Sequence, residues 1–487
     1  MSSESSFSTI DEEKFNSFHW RMIFTTGMGV FCDGYDLTSI AIVLPMVLTS
    51  FGISQIGGLQ SALLAASALV GSALGALIFG ILGQFGRKRF YGLDLLLMGV
   101  MAAAQAFSPD LDWLIAFRFI LGIGIGADYV LSPTITVEHA NRADRGRMIG
   151  LGFAVMWTLG SIATATLNFL LAHAGVTENW QWRIVLAAGA VPALATLYLR
   201  RTMPETARYL SRLAAEPNAA LKVMREISSQ EPSQQPPLTA PSTDTRPFAQ
   251  VLTKHAHSIL SATLLWMIFD MVVYPGDLFG PSLIAKSLGM TPIGFSLFTH
   301  IIFSVPSLLF FSFFALDQLG RKKLQTMGFI GAAIFLTCFG LLKQFLPVAP
   351  MMALISYGLF TVALNGATIV SGTGILGVEL TPTRIRTFGQ AITVIGGRIG
   401  ASVSGFLFPL IFTQFGEVSA IFVLVLLSML GAWFTHTLIP ETGGRSLEFI
   451  NQEDMSFDAA PYPIMPPLLP IAESNEPSPL HVIAELE

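Results

Sequence analysis

Of the 487 residues, 52% are hydrophobic and only 12% charged, with a mean hydropathy of +0.62 and a formal net charge of −5. Water-soluble globular chains rarely reach such values. The acidic residues concentrate in the tails, so net charge says little about partners; lipid is expected around the chain and nucleic acid is not. Cys32 and Cys338 both fall in apolar runs, which excludes a disulfide framework or a cysteine metal site, and no cofactor is expected.

The N-terminal stretch MSSESSFSTIDEEKF lacks a basic region followed by an apolar core, so no cleavable signal is expected. Apolar runs of spanning length then recur at 20–49, 57–82, 90–108, 112–138, 148–173 and 183–202, and again at 257–286, 292–316, 324–346, 349–379, 387–413 and 418–438. This predicts an all-α membrane protein of twelve transmembrane helices in two six-helix bundles, 20–202 and 257–445. If both ends lie inside, the inner connections carry Arg87, Lys88, Arg89, Arg142, Arg145, Arg147, Arg321, Lys322, Lys323, Arg384 and Arg386, against Arg183, Lys286 and Lys343 outside. Eleven against three predicts cytoplasmic termini in a cell membrane. The cytoplasmic pieces are then a tail at 1–19, a linker at 203–256 and a second tail at 446–487. The linker opens with short surface helices and becomes SSQEPSQQPPLTAPSTDTRP, whose Pro, Ser and Gln predict mobility. The acidic, proline-rich second tail is expected to be disordered.

One stretch stands out, Leu121–Arg147. Gly122, Gly124 and Gly126 would let a neighbouring helix approach closely. Without a preceding strand or GxGxxG spacing, they are not a dinucleotide fingerprint. Asp128 is expensive in hydrocarbon and should face protein or a watery cavity, with Tyr129 beside it. Three features recur between the halves. GRKR at 86 answers GRKK at 320, PETAR at 204 answers PETGGR at 440, and Glu138 with its arginines answers Glu379 with Arg384 and Arg386. The offsets of 234, 236 and 241 residues make a single repeat within loop drift. Two such halves around a central site form a transporter architecture.

On these motifs the chain resembles the major facilitator superfamily over residues 15–450. The resemblance implies alternating access, with Glu138, Arg145, Arg147, Asp317, Arg321, Glu379 and Arg386 as gating residues, and a Glu138–Arg147 contact between the fourth and fifth helices. It departs in the first loop, GILGQFGRKR, which lacks the acid that the second keeps as Asp317. The latch of the first half therefore needs another acceptor.

Within the superfamily the chain resembles the phosphate:proton symporters, and more distantly sugar and aromatic-acid porters. GADY at 126–129 implies proton transfer at Asp128 and phosphate contact at Tyr129. FYGLDLLLM puts Asp94 where that family has a glutamate of proton exit. WMIFDMVVY supplies Trp266, Asp270 and Tyr274 at the phosphate-contacting spacing, and ALNGATIV supplies Asn365. Trp157 stands where the family has a phosphate-binding glutamine, which keeps a proton-coupled porter of an organic acid or a sugar-like solute as the alternative.

The residues support this on their own chemistry. Trp266, Asp270 and Tyr274 at i, i+4, i+8 form a polar stripe on one helix face, either a solute rail or a polar helix–helix contact. Asp33 and Asp36 in FCDGYDL share a face and suit proton coupling, although either could brace a broken helix. Arg118 and Arg398 are expected inside, more as structural salt bridges than as anion ligands, and His300 as a hydrogen-bonded core residue. No metal spacing, nucleophile elbow or phosphate loop argues for an enzyme, and the few clustered intramembrane charges do not line a channel. A transporter-like sensor remains a less favoured class. The expected protein is a monomeric symporter of a small anionic solute, phosphate favoured.

Overall fold

The computed structural model describes residues 7–53, 59–228, 244–346 and 349–453. All regular elements among them are helical. In the first half they are α1 (Ser17–Ser50), α2 (Leu59–Phe85), α3 (Leu93–Gln105), α4 (Leu111–His139), α5 (Arg145–His173) and α6 (Glu178–Arg201). In the second they are α7 (Phe248–Ser287), α8 (Pro292–Leu319), α9 (Arg321–Phe345), α10 (Pro350–Glu379), α11 (Arg386–Phe415) and α12 (Glu417–Leu438). Eleven are long and apolar enough to cross a bilayer.

The exception is α3. The run 90–108 yields only 13 helical residues, because a 3-10 turn occupies Lys88–Phe90 and Gly92 takes a φ of 108°. At about 1.5 Å per residue the helix covers roughly 20 Å, short of a hydrocarbon core of about 30 Å. A second difference is that α7 starts at Phe248, inside the expected linker.

Glycine sets the closest helix approaches. A Cβ at Gly122 or Gly126 of α4 would strike the backbone of α2 at Ala68 and Ser72, and one at Gly71 or Gly75 of α2 would strike α4 at Phe119 and Ile123. Both helices thus present small-xxx-small faces to each other. Gly124 faces the other way, where a Cβ would come within 2.8 Å of the Asp94 carbonyl of α3. The halves meet where Gly80 of α2 faces Ala391 of α11. Five π-helical turns interrupt α5 (Gly150–Val155), α7 (Gly280–Ile284), α8 (Thr299–Ser304 and Phe311–Ala315) and α10 (Thr368–Gly372). Such turns widen a helix locally and recur at functional sites.

The end of the bundle bearing the basic loops carries a small plate of short helices: Ser8–Asp11, Ala207–Arg212, Pro217–Ile227 and Leu447–Asn451. Ile10, Ala207, Val223 and Met224 form its apolar core. Buried Arg208 ties it together, 2.8 Å from both Asp11 and Glu448. Burial alone would raise the Glu448 pKa, but Arg208 overrides it and holds the carboxyl at about 2. The first residues of the expected disordered tail are therefore helical: Ser446 caps Phe449 N at 3.2 Å and Leu447 is buried. The acidic, proline-rich remainder from 454 and the polar linker segment 229–243 lie outside the described residues.

Candidate solute site and gate

At the basic end two buried glutamates make matching networks. Glu138 accepts from Arg87 of its own half at 3.3 Å, from Arg386 of the other half at 2.9 Å, and from Thr206 at 2.5 Å. Glu379 accepts from Arg321 of its own half at 2.9 Å, from Arg145 of the other half at 2.6 Å, and from Thr442 at 2.6 Å. The sequence repeat is thus a structural exchange: each glutamate binds one guanidinium from each half. Charges removed from water need this density of partners. The expected Glu138–Arg147 contact is absent from it. Arg147 instead pairs with Asp144 at 2.7 Å, because it stands two residues from Arg145 in the first turn of α5, about 200° around the helix, and is part-exposed where Arg145 is buried.

The departure in the first loop also finds its acceptor. Asp317 accepts from Arg321 at 2.9 Å and, across the halves, from the backbone N–H groups of Gly146 and Arg147 at 2.9 and 2.7 Å. In the first half, Arg87 Nη1 donates to the Gly83 carbonyl at 3.0 Å, and Gln84 donates across to Thr387 at 2.7 Å. A backbone oxygen and an amide replace the carboxylate. The halves are closed against each other here.

Beyond this latch lies a central cavity, part of it continuous with the surroundings. Tyr129, Trp157, Asp270, Tyr274, Asn365 and Arg398 line it. Three π-helical turns contribute to its wall through Phe153, His300 and Thr368. Arg398 dominates its chemistry. Its guanidinium donates to the Tyr274 hydroxyl, lies 3.7 Å from Asp270 Oδ2, and sits 4.6 Å from the Tyr129 ring centroid. Asn365 Nδ2 donates to Ser307 at 2.9 Å, which leaves its carbonyl for other contacts. Trp266 stands behind the wall: its indole N–H donates to Asp270 Oδ1 at 3.1 Å and its ring packs on Tyr129. It orients Asp270 and does not line the cavity.

The acids of the first half form a second group. Arg200 pairs with Asp94 and, at 2.6 Å, with Asp128. Ser132 adds a 2.5 Å bond to Asp128. The guanidinium fits because α1 has Gly29 there; a Cβ would collide with Arg200 and come within 2.5 Å of Asp128. Asp33, one turn further along the same face of α1, is fully buried and neither of its oxygens has a hydrogen bond. Asp36 is likewise buried without one, against Gly189 of α6. Arg118 donates to Gln105 at 3.3 Å.

Sequence reasoning assembled most of the wall but missed three residues. Arg200 ends an apolar run beside Arg201, so it reads as an interfacial anchor, although it reaches the deepest acids. Arg398 was expected inside but ranked first as a structural bridge. Asp277, seven residues beyond Asp270 on the same face, lines the cavity and was not singled out; continuing the i, i+4 rail by i+7 would have found it. His300, expected in the core, lines the cavity with its Nδ1 2.7 Å from the Ser296 carbonyl.

Residues 22–453 match the family described as sugar (and other) transporter. The chain belongs to that family. It is a multi-span membrane transporter of the major facilitator fold. It is 31% identical over 501 residues to low affinity inorganic phosphate transporter 4 of Lotus japonicus, covering 91% of this chain and 94% of that one. It is 30% identical to inorganic phosphate transporter 1-11 of Oryza sativa subsp. japonica, covering 91% and 89%. Among solved structures, the proton:xylose symporter XylE bound to 6-bromo-6-deoxy-D-glucose superposes with a TM-score of 0.74 at 22% identity, covering 90% of this transporter and 99% of that chain. The inward open conformation of XylE from E. coli gives 0.64 at 22% identity, covering 89% and 99%.

Proposed function

We propose that this transporter is a proton-coupled symporter of a small anionic solute, inorganic phosphate favoured, working by alternating access. The observation that carries the reading is Arg398 on the cavity wall, flanked by Tyr274, Asp270 and Tyr129. A guanidinium there offers a charge-assisted contact to an oxyanion, while a protonated Asp270 would donate to it and an ionised one would repel it. The named phosphate transporters among its relatives support the same solute.

Charge balance supports proton coupling. Between the two ends of the bundle, or reaching into it from a helix end as Asp94 and Arg200 do, stand Asp33, Asp36, Asp94, Asp128, Asp270 and Asp277, against Arg118, Arg200 and Arg398. Three carboxylates in excess of their guanidiniums cannot stay charged and unpaired in a low-dielectric interior. Asp128, Arg200 and Asp94 are linked in a row, with Asp33 one turn along α1 from Gly29. Protonation of Asp128 would loosen its hold on Arg200 and leave the guanidinium to Asp94, and release of that proton would restore the Asp128–Arg200 pair. In this scheme the basic end is cytoplasmic, both termini lie there, the membrane is that of the cell, and one chain suffices.

The test is uptake of labelled phosphate into proteoliposomes under an imposed pH gradient. Accumulation should vanish with a protonophore, and Asp128→Asn should abolish accumulation while counterflow exchange continues. Accumulation driven by sodium alone, or equal loss of both activities in Asp128→Asn, would overturn the coupling scheme. A second reading, a proton-coupled porter of an organic metabolite, is favoured by Trp157, whose indole occupies the wall where phosphate symporters carry an amide.

A further inference from the structure

The cavity has a second lobe that a phosphate ion does not need. Gly276, Asp277, His300, Ser304, Tyr357 and Thr361 line both the main cavity and a smaller adjoining space. Asp270, Tyr274 and Asp277 follow one face of α7 at i, i+4, i+7, so Asp277 stands about 10 Å along the axis from the carboxylate beside Arg398. A single tetrahedral oxyanion is too short to touch both.

The lobe is chemically the opposite of the Arg398 end. Asp277 makes no hydrogen bond or ion pair among the described residues. The Nδ1 of His300 is taken by the Ser296 carbonyl, which makes it the donor and leaves the Nε2 lone pair of the neutral ring as an acceptor. The Tyr357 hydroxyl lies over α7 where Gly276 makes room, since a Cβ there would come within 2.7 Å of it. No Arg or Lys lines this lobe among the described residues. The imidazole lone pair accepts, and the Asp277 carboxyl and the Tyr357 hydroxyl can each accept as well as donate, so the lobe suits hydrogen-bonding groups, while a second anion would find no cation there.

We infer that the solute is an organic anion whose far end carries hydroxyl or ammonium donors, its charged end at Arg398 and its donor end at Asp277 and His300. This rests on the anion reading above, keeps its charged end at Arg398, and puts an organic anion in place of inorganic phosphate as the favoured solute. Asp277 is then the specificity-determining residue of the site, and Tyr357 with His300 completes the donor pocket.

The experiment is competition binding to the purified full-length transporter with a matched pair of probes: glycerol 3-phosphate, and propyl phosphate, which lacks the hydroxyls. Inorganic phosphate and the neutral polyol xylitol complete the set. Glycerol 3-phosphate should outcompete propyl phosphate by at least about tenfold, the effect of one buried hydrogen bond to a charged group. Asp277→Ala should bring the ratio of the two close to one. Asp277→Asn, which keeps the volume should the alanine variant fail to fold, should reduce it. A ratio near one in the parent, or a preference that survives both substitutions, would overturn the inference, and phosphate binding alone would then leave the anion reading intact. Binding of xylitol that depends on Asp277, with no anion bound, would uphold the donor pocket and reject the anion reading instead.

Discussion

Glu138 and Glu379 at the basic end each hold two guanidiniums and a threonine hydroxyl, whereas on the cavity wall Asp277 makes no hydrogen bond among the described residues and Asp270 Oδ2 has only Arg398 at 3.7 Å. Both regions are buried and charged. The difference is what satisfies the charge. The network at the basic end is saturated by the protein itself, with each half supplying one arginine to the other, and under the proposed alternating access this pairing would favour the closed state. The cavity leaves its acceptors open, which is costly in the empty protein and is relieved only by protons or a solute. A saturated network holds one conformation; an unsaturated one waits for a ligand.

The strongest way to break this contrast is to unsaturate the gate. Glu379→Gln leaves Arg145 and Arg321 buried with a neutral partner. Removing one member of a buried charge network costs about 3–5 kcal/mol, enough to shift the closed state by roughly a hundredfold to a few thousandfold. With Cys338 replaced by Ser and a cysteine placed at Ala391, which faces Gly80 across the halves, alkylation from the basic side should rise sharply. Solute affinity should change far less. Unchanged labelling in both Glu379→Gln and Glu138→Gln would mean that the latch does not hold the halves.

The complementary test sharpens the cavity side. Tyr274→Phe removes the hydroxyl that receives Arg398 and that faces the cavity. Solute binding should weaken by about 1.5–3 kcal/mol, roughly ten- to a hundredfold, while alkylation at position 391 stays as in the parent. If this substitution opened the gate as much as Glu379→Gln does, the two regions would be one network and the contrast would fail.

A smaller effect separates the two loops of the gate. Asp317 gathers three donors, two of them backbone groups of the opposite half, and Asp317→Asn weakens charge-assisted bonds worth about 1.5–3 kcal/mol. Gln84→Ala deletes one neutral bond to Thr387, worth about 1 kcal/mol. The alkylation assay should therefore rank Asp317→Asn above Gln84→Ala. The reverse order would show that the first loop, despite lacking the acid, is the firmer latch.

The same contrast explains what the sequence made legible. The gate is written as repeated motifs, so GRK, Glu138/Glu379 and the two PET turns could be matched from spacing alone, and the fold followed. Which arginine meets which glutamate was not legible: Arg145 and Arg147 stand on opposite faces of the first turn of α5, but which face meets the other half is set by packing, and one partner of Glu138 lies 248 residues away. In the cavity the α7 stripe was legible from its helical period. Arg200 was not, because its role depends on a glycine on another helix, Gly29, whose missing Cβ lets the guanidinium reach Asp128. Trp266 was read as a wall residue because a stripe shows which residues share a face but not which of them the neighbouring helices cover.

The last test concerns the plate of short helices, the gentlest of the paired networks. Arg208 holds Glu448 at a pKa of about 2, against a usual value near 4.5. A carboxyl depressed in the folded state adds stability that is fully present above its unfolded value and is lost as pH falls through the folded one. The contribution of Glu448 should therefore hold down to about pH 4.5 and fade between there and about pH 2. Glu448→Gln removes it at every pH. Thermal melting of the parent in detergent should exceed that of Glu448→Gln by a few degrees at pH 6, and the gap should close as the pH approaches 2. Because Asp11 also meets Arg208, the residual pairing keeps the effect below that of opening the gate, and position 391 should stay protected from alkylation in Glu448→Gln. A gap independent of pH would assign Glu448 to packing, with Arg208 held by Asp11 alone.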